Sequence, residues 1–512
     1  MKHIYYFILV FWVAVIASGC IKDRTNYDFA PKEVITVTGI NSSYTLISEK
    51  DRLTLTPQTT STVPNADFEY LWGIYETNVQ GFAPVLDTIG RTKDLDYLIK
   101  QPAKGWVLVY RVTNKNTGYA AYFTSSINVV TEFTRGWYVA KDDGNQADMD
   151  LFLTPKSIIP ESVNENAYSK VNGTKLNGQA QFLTFFSSYK SLANGTATPA
   201  NTRVLIMSTN KDIAITNINT LKPIRTIKNI LFSEPDVKSP AQIFNGSSAY
   251  YFFNGGQLHT IYNMSANDGR FGAQVMKDVN NTPYQLSKYF LSYWISDPFF
   301  FDETSSSFLS MSMGYGSLMA LTTDDPTTTM PANNNNKKLL YMGTKAAGAS
   351  LTGIAIFQDK TNSGLKIFST ITAPSTRKLK IVNDTLKTTD RLYQASTYTV
   401  LNGDENMIYF ALDNQIWSRN LSNGFEKLEY TIPAGEELTY LRHKKYTSEA
   451  TYAYNFIIVG TKVGSKYKVR MFEKSSGSIV GEPKVTLEGN GIARDVYYVS
   501  PSVSETTHTL TY

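Results

Sequence analysis

Short apolar runs separated by polar turns recur along most of the chain, and one of them sets the pattern. Val204 to Ile218 has four apolar residues, a polar turn from Ser208 to Lys211, and an alternating run through Ile213 and Ile215. That order predicts a β-hairpin. Met407 to Leu421 matches it position for position, pairing Met207 with Phe410, Asn210 with Asp413 and Ile213 with Ile416. Tyr250 to Met264 fits with one residue fewer in the turn. Looser copies begin at Trp137, Phe299, Leu339 and Phe456. Seven starts, roughly forty to seventy residues apart, are the spacing of propeller blades with insertions. Further strands at Pro223 to Ile227 and Lys427 to Ile432 make a four-stranded blade the economical unit. Residues 135–512 are therefore expected to form a seven-bladed β-propeller, closed by pairing Ile492 to Val499 with the first blade.

Ahead of the repeats, 34–132 alternates in a different rhythm. VITVTGI, RLTLTP, FEYLWGIYE and the long run from Trp106 to Val130 are strands bounded by turn residues, with Trp72 on a central one. About a hundred residues of this kind predict an immunoglobulin-like sandwich. No cysteine pair supports it, so packing alone must hold it. The fold class is all-β. Three segments depart from the pattern: a Ser, Asn and Gly-rich surface insert within Ser157 to Thr202, a long loop from Thr322 to Asn336, and one short helix. The helix is read at Gln285 to Ile295, where Leu286, Tyr289, Phe290 and Tyr293 share a helical face ahead of Asp297-Pro298.

Composition agrees with packed β-structure. Hydrophobic residues are 42% and aromatic residues 13% of 512, enough to build cores. The formal net charge of +5 comes from 49 basic and 44 acidic residues with no block of one sign. A nucleic-acid partner, which needs a clustered basic face, is not expected.

The single cysteine, Cys20, excludes an internal disulfide and a cysteine-ligated metal. Its position gives it a use. Residues 1–19 run from Lys2 and His3 through an apolar stretch, Ile4 to Ile16, to Ala17, Ser18 and Gly19. This is the layout of a secretory signal. Ala-Ser-Gly-Cys resembles the bacterial lipobox, with Ala17 where leucine is more usual. Cys20 is thus the expected acylated first residue of the mature chain, followed by a tether over 20–33 and attached to the outer membrane by its lipid. Lys22-Asp23 resembles the tag that directs Bacteroidetes lipoproteins to the cell exterior.

NYDF at 26–29, ITVTGI at 35–40, RGWYVAKDDGNQADMDLF at 135–152, KLNGQAQFLTFF at 175–186 and STNKDIAITNINTLK at 208–222 together resemble the PKD-like family of Bacteroidetes lipoproteins. These motifs are structural rather than catalytic. The resemblance implies a PKD-like sandwich before the propeller. It also implies a surface lipoprotein associated with a Sus-type uptake system, a TonB-dependent transporter with its substrate-binding lipoprotein.

Catalytic signatures are missing. Gly314-Tyr315-Gly316 lacks the third glycine of a dinucleotide turn, Gly460 to Lys466 lacks phosphate-loop spacing, and neither HExxH nor GxSxG occurs. His3, His259, His443 and His508 are scattered. Asp142, Asp143, Asp148 and Asp150 form the densest carboxylate group and pose the question of calcium, but they lack the order of a known calcium loop, so a solvated turn is the favoured reading. No cofactor and no metal are expected. The aromatic concentration Tyr289, Phe290, Tyr293, Trp294 and Phe299 to Phe301 is the candidate contact surface, against the simpler reading of blade core. Tyr293 and Trp294 are its candidate ligand or partner contacts. The sequence thus points to an accessory binding subunit of a peptide or glycan uptake complex, not an enzyme. The alternatives are a surface hydrolase with dispersed acids or a structural adhesin.

Overall fold

The computed structural model describes residues 32–504 apart from 78–82, 154–160, 193–197, 247, 264, 294–295, 312–315, 347–350 and 376, with the backbone alone for 293, 296 and 297. The chain divides into two compact units, Met1–Val130 and Thr131–Tyr512. Cys20 and its flanking signal and tether lie outside the described residues. Among those residues, no helix is long and apolar enough to cross a membrane.

In the first unit, alternation builds a sandwich. A five-stranded sheet, ordered Ser43–Ile47, Ala120–Val130, Gly105–Asn114, Phe68–Glu76 and Asp87–Gly90, supplies one inner face. Two strand pairs, Ile35–Thr38 with Gln58–Ser61 and Arg52–Leu55 with Leu95–Leu98, complete the fold. Leu53, Leu55 and Leu95 from the pairs pack with Trp72, Leu108 and Ile127 from the sheet. Trp72 is the pivot: its indole is fully buried, stacks on Tyr110 at 4.0 Å, and donates to the Thr92 carbonyl at 3.0 Å. Glu33 closes one end by accepting from Ser61, Asn114 and Thr117, bonds that hold its carboxyl below its ordinary pKa, with Thr117 contributing most.

The second unit is a propeller. Among the described residues, seven sheets of three to five strands follow one another along the chain, each an antiparallel meander at its heart. The strands Ala180–Ser191, Pro240–Asn245, Leu286–Tyr293, Lys337–Ala346, Thr397–Val400 and Glu437–Tyr446 each take the inner edge of their sheet. The first sheet borrows its inner strand from the far end of the chain. Ile492–Val499 pairs antiparallel with Gly136–Asp142 in a register running from Gly136↔Val499 to Asp142↔Ile492. The predicted closure is therefore observed.

An inner strand has one edge without a strand partner, and its buried N–H groups need acceptors. Side chains of the adjacent inner strand provide several of them. Val400 N–H donates to Tyr341 Oη at 2.9 Å, His443 N–H to Thr399 Oγ1 at 3.1 Å, and Leu183 N–H to Asp495 Oδ2 at 2.9 Å. Lys444 reaches Asp495 from the last sheet at 3.0 Å, so one carboxylate ties the last, first and second sheets together. Apolar packing fills the gaps between sheets. The largest cluster runs from Tyr440 and Ile458 through Trp137 and Met149 to Leu205, joining the same three sheets.

The repeat starts land mostly on the second and third strands of their sheets, as Ala200–Thr209 with Ile213–Asn217 shows. Leu339 is different. Its hairpin joins the first and second strands, Lys337–Ala346 and Leu351–Asp359, one strand early. Pro223–Thr226 and Glu426–Thr431 are fourth strands, as the four-stranded unit requires.

Two readings are corrected. The stretch expected to be a helix, Gln285 to Ile295, holds the inner strand Leu286–Tyr293. Leu286 and Phe290 pack toward the third sheet and Leu291 toward the fifth. A strand apolar on both faces loses its period of two, and its spacing imitates a helix. The Ser157 to Thr202 insert likewise contains the inner strand Ala180–Ser191, which is largely buried. The Thr322 to Asn336 segment behaves as expected of an edge loop. Its Thr323–Asp324 stretch pairs with the outer strand Lys378–Thr385 of the fifth sheet.

Candidate functional site

The first sheet carries a cleft lined by polar side chains. Strands Gly136–Asp142 and Gln146–Leu153 meet in a tight turn whose Gly144 has φ of +98°. The helix Ala167–Asn172 packs beside them, and the turn before the closing strand brings in Asn490 and Gly491. Gly491 is required there: at φ +106°, a Cβ would stand 2.9 Å from the Asp142 carbonyl oxygen. Together these elements enclose a cleft of about 210 Å³ that opens onto a shallower one of about 570 Å³.

The four aspartates of this region do not form the solvated turn that their spacing suggests. Only Asp143 is exposed. It accepts from the Asn145 and Gln146 amides and pairs with Lys175 at 3.1 Å, bonds that hold its carboxyl below the usual range, the backbone amides most of all. Asp142 is buried against Arg494 at 2.8 Å and accepts from the Gly144 and Ala180 amides. Asp150, fully buried, pairs with Lys141 at 2.7 Å, takes the Tyr467 hydroxyl at 2.6 Å, and caps the Asn166 amide. Asp148 points its Oδ1 at the Met149 and Ser169 amides. Each acid is directed at a different neighbour. Among the described residues, no three acids, histidines or cysteines gather to hold a metal.

A second polar cluster joins the fifth, sixth and seventh sheets. Lys474 bridges Asp404 at 2.6 Å and Glu405, and Lys345 donates to the Asp404 carbonyl at 2.9 Å. Burial opposes ionisation of Asp404, but Lys474, Asn455 and Lys445 outweigh it and hold its pKa at about 2. Beside it His443 is fully buried, and burial pushes its pKa down to about 4. His259 lies on the third sheet against the Gly272 carbonyl at 3.0 Å, and burial lowers its pKa too. Among the described residues, burial pushes up the carboxyls of Asp212 on the second sheet and Glu303 after the fourth sheet's second strand. They stand on non-adjacent sheets and do not make an acid pair.

The aromatic concentration resolves mostly into core. Phe290, Phe299, Phe300 and Phe301 are buried, and Phe244 stacks on Phe290 at 3.8 Å across two sheets. Tyr289 meets Tyr341 edge-on at 5.4 Å. Tyr293 ends the inner strand, where only its backbone is described, and Trp294 lies outside the described residues. The first-sheet cleft was foreshadowed in sequence only by its aspartates. Asn166, Lys175 and Asn490, distant in sequence, gave no signal.

Solved structures with similar strand arrangements have low identity to this chain. A quinoprotein alcohol dehydrogenase-like protein from Bacteroides thetaiotaomicron is 13% identical with a TM-score of 0.38, covering 90% of this chain and 97% of that one. A DUF4784 family protein from Bacteroides caccae is 7% identical with a TM-score of 0.32, covering 78% and 96%. At these scores neither bears on activity, and the fold rests on the strand pairings above. No curated protein matches the chain in sequence. The model of the PKD-like family matches residues 20–180, which take in the sandwich and the opening of the propeller.

Proposed function

We propose that this protein is a lipid-anchored accessory subunit at the outer face of the outer membrane that works by contact, in a TonB-dependent, Sus-type complex taking up peptide or glycan. Its seven sheets read as seven blades. The observation that carries the non-enzymatic part of this reading is the occupation of the buried acids. Of the buried acids, Asp142, Asp150, Asp302 and Asp495 are each bonded to a lysine or arginine, as are the half-buried Asp359 and Glu436, while Glu33 and Asp148 accept from amides and hydroxyls instead. The two described histidines are fixed to a carbonyl and an amide. Hydrolysis needs an acid and a base or nucleophile facing one bond. Here such groups are engaged in holding sheets together. The lipobox-like Ala17 to Cys20, with Cys20 the single cysteine of the sequence, supports the lipoprotein part.

The test is affinity capture of the intact lipoprotein from solubilised membranes. A TonB-dependent channel and its substrate-binding lipoprotein should co-purify, and the captured protein should leave peptides and oligosaccharides uncleaved. Absence of both partners would refute the subunit role. Reproducible turnover abolished by one carboxylate substitution would refute the non-enzymatic reading.

A further inference from the structure

The seven inner strands of the propeller carry nine lysines and arginines but only two acids, Asp495 and Glu437. The chain as a whole is nearly balanced, with 49 basic and 44 acidic residues. Positive charge is thus concentrated on the strands nearest the ring's axis. Several of these cations turn to acids of other strands, as Lys337 does to Asp359, Lys444 to Asp495 and Arg494 to Asp142. Lys288 on the fourth sheet and Arg442 on the seventh stand in a different relation.

Contacts between successive inner strands place these two at one level of the axis. Lys288 adjoins Tyr289, whose ring meets Tyr341 of the fifth sheet at 5.4 Å. Tyr341 Oη accepts from the Val400 amide of the sixth sheet, and the neighbouring Thr399 accepts from the His443 amide of the seventh. Arg442 is the residue before His443. The fifth and sixth sheets separate the fourth from the seventh, so charges at this level that act on each other do so across the middle of the ring. Burial disfavours the Lys288 charge most, Tyr289 favours it, and the Arg442 guanidinium opposes it. Yet Lys288 is exposed and Arg442 only half-buried. A residue that solvent reaches, but whose charge the surrounding protein still disfavours, lies in a narrow wet passage, and the central channel of a propeller is one.

Two cations brought together in such a passage repel, and an anion between them relieves the repulsion. Walls of low dielectric strengthen that attraction. The guanidinium offers a planar fork suited to a carboxylate, and the ammonium a point charge. Tyr289 is half-buried, with Lys288 Nζ over its ring at 5.2 Å, and gives the remainder of a ligand an aromatic surface to meet. A peptide carries a carboxylate at its end, and an acidic sugar carries one on its ring.

We infer that the central channel of the propeller binds a carboxylate, with Arg442 and Lys288 holding its oxygens from opposite walls and Tyr289 meeting the group that bears it. The inference rests on the binding role proposed above and names the chemistry of the ligand.

The experiment is isothermal titration calorimetry on the full-length protein at pH 7 in a nonionic, sugar-free detergent. The probes are glucuronate and N-acetyl-triglycine, each with its neutral counterpart, glucose and N-acetyl-triglycine amide. At least one carboxylate should bind, with its counterpart at least about tenfold weaker. Binding of glucuronate alone would make the ligand an acidic sugar, and of N-acetyl-triglycine alone a peptide end; either supports the site. Lys288→Gln and Arg442→Gln should each weaken the carboxylate about tenfold. Without ligand, the melting temperature of Lys288→Gln should not fall, because a repulsion has been removed. Lys338→Gln makes the same charge change at an exposed position near the start of an inner strand and should leave the affinity unchanged. Binding of neither carboxylate, equal binding of a neutral counterpart, or equal weakening by Lys338→Gln would overturn the inference. Should Arg442→Gln fail to fold, Lys288→Gln decides alone. A wild type that binds a carboxylate but captures no transporter subunit would sink the subunit role and leave this site standing.

Discussion

Acid should weaken the propeller through one imidazole. His443 is fully buried between the sixth and seventh sheets. Its Nε2 meets Asn455 Oδ1 at 2.8 Å, and its Nδ1 accepts from the Asn402 amide at 3.3 Å. Only the neutral tautomer protonated at Nε2 satisfies both bonds. A second proton, on Nδ1, would face the Asn402 N–H. Burial is the largest influence and the Lys474 and Lys445 ammonium groups act with it, against Asn455 and Asp404, so the pKa falls from its ordinary 6.5 to about 4. The unfolded chain therefore takes up this proton near pH 6.5 and the native one only near pH 4. Between those values the unfolded state binds more protons, so stability present above pH 6.5 is lost as the pH falls toward 4. One pKa unit corresponds to about 1.4 kcal/mol, giving a loss of roughly 3 kcal/mol over the window and about 2 kcal/mol by pH 5. Urea unfolding followed by tryptophan fluorescence at pH 7 and pH 5, on wild type and His443→Gln, measures it. Glutamine can still donate to Asn455 but cannot take up a proton. His259 and the carboxylates titrate alike in both proteins, so wild type should lose about 2 kcal/mol more than the variant. Equal losses would refute the reasoning.

Deleting the chain after Gly491 removes the closing strand and, with it, Ala493, Val496, Tyr498 and Val499 from the largest core cluster, as well as the carboxylate of Asp495 that serves three sheets. At roughly 1.5–3 kcal/mol for each large apolar side chain, the loss should exceed the stability of the unit; a truncated protein that melts as high and as cooperatively as the parent would place closure elsewhere. Asp150→Ala leaves the Lys141 ammonium buried without its partner and should cost about 3–5 kcal/mol by chemical denaturation; a change below 1 kcal/mol would mean the lysine escapes to solvent. Cys20→Ala should move the protein from the membrane fraction to the soluble fraction, and mass spectrometry of the parent should find Cys20 acylated; an unmodified Cys20 would end the lipoprotein reading.

The sequence by itself determined the all-β class, the hairpin repeat, the sandwich around Trp72 and the pairing of the last strand with the first sheet. Each follows from local alternation or from the need to cover a strand edge, and both are written in consecutive residues. The tertiary structure decided what depends on neighbours from other sheets. Leu286–Tyr293 is a strand because sheets pack on both of its faces, which erases the period that would announce it. Asp142 and Asp150 are buried ion-pair members rather than solvated turn residues, because Arg494 and Lys141 reach them. Arg494 lies 352 residues from Asp142 along the chain. The cleft exists because closure of the ring brings Asn490 and Gly491 beside Gln146 and Asn166. A site assembled from chain ends that meet only when the propeller closes leaves no spacing to read, and its chemistry becomes visible only in the folded molecule.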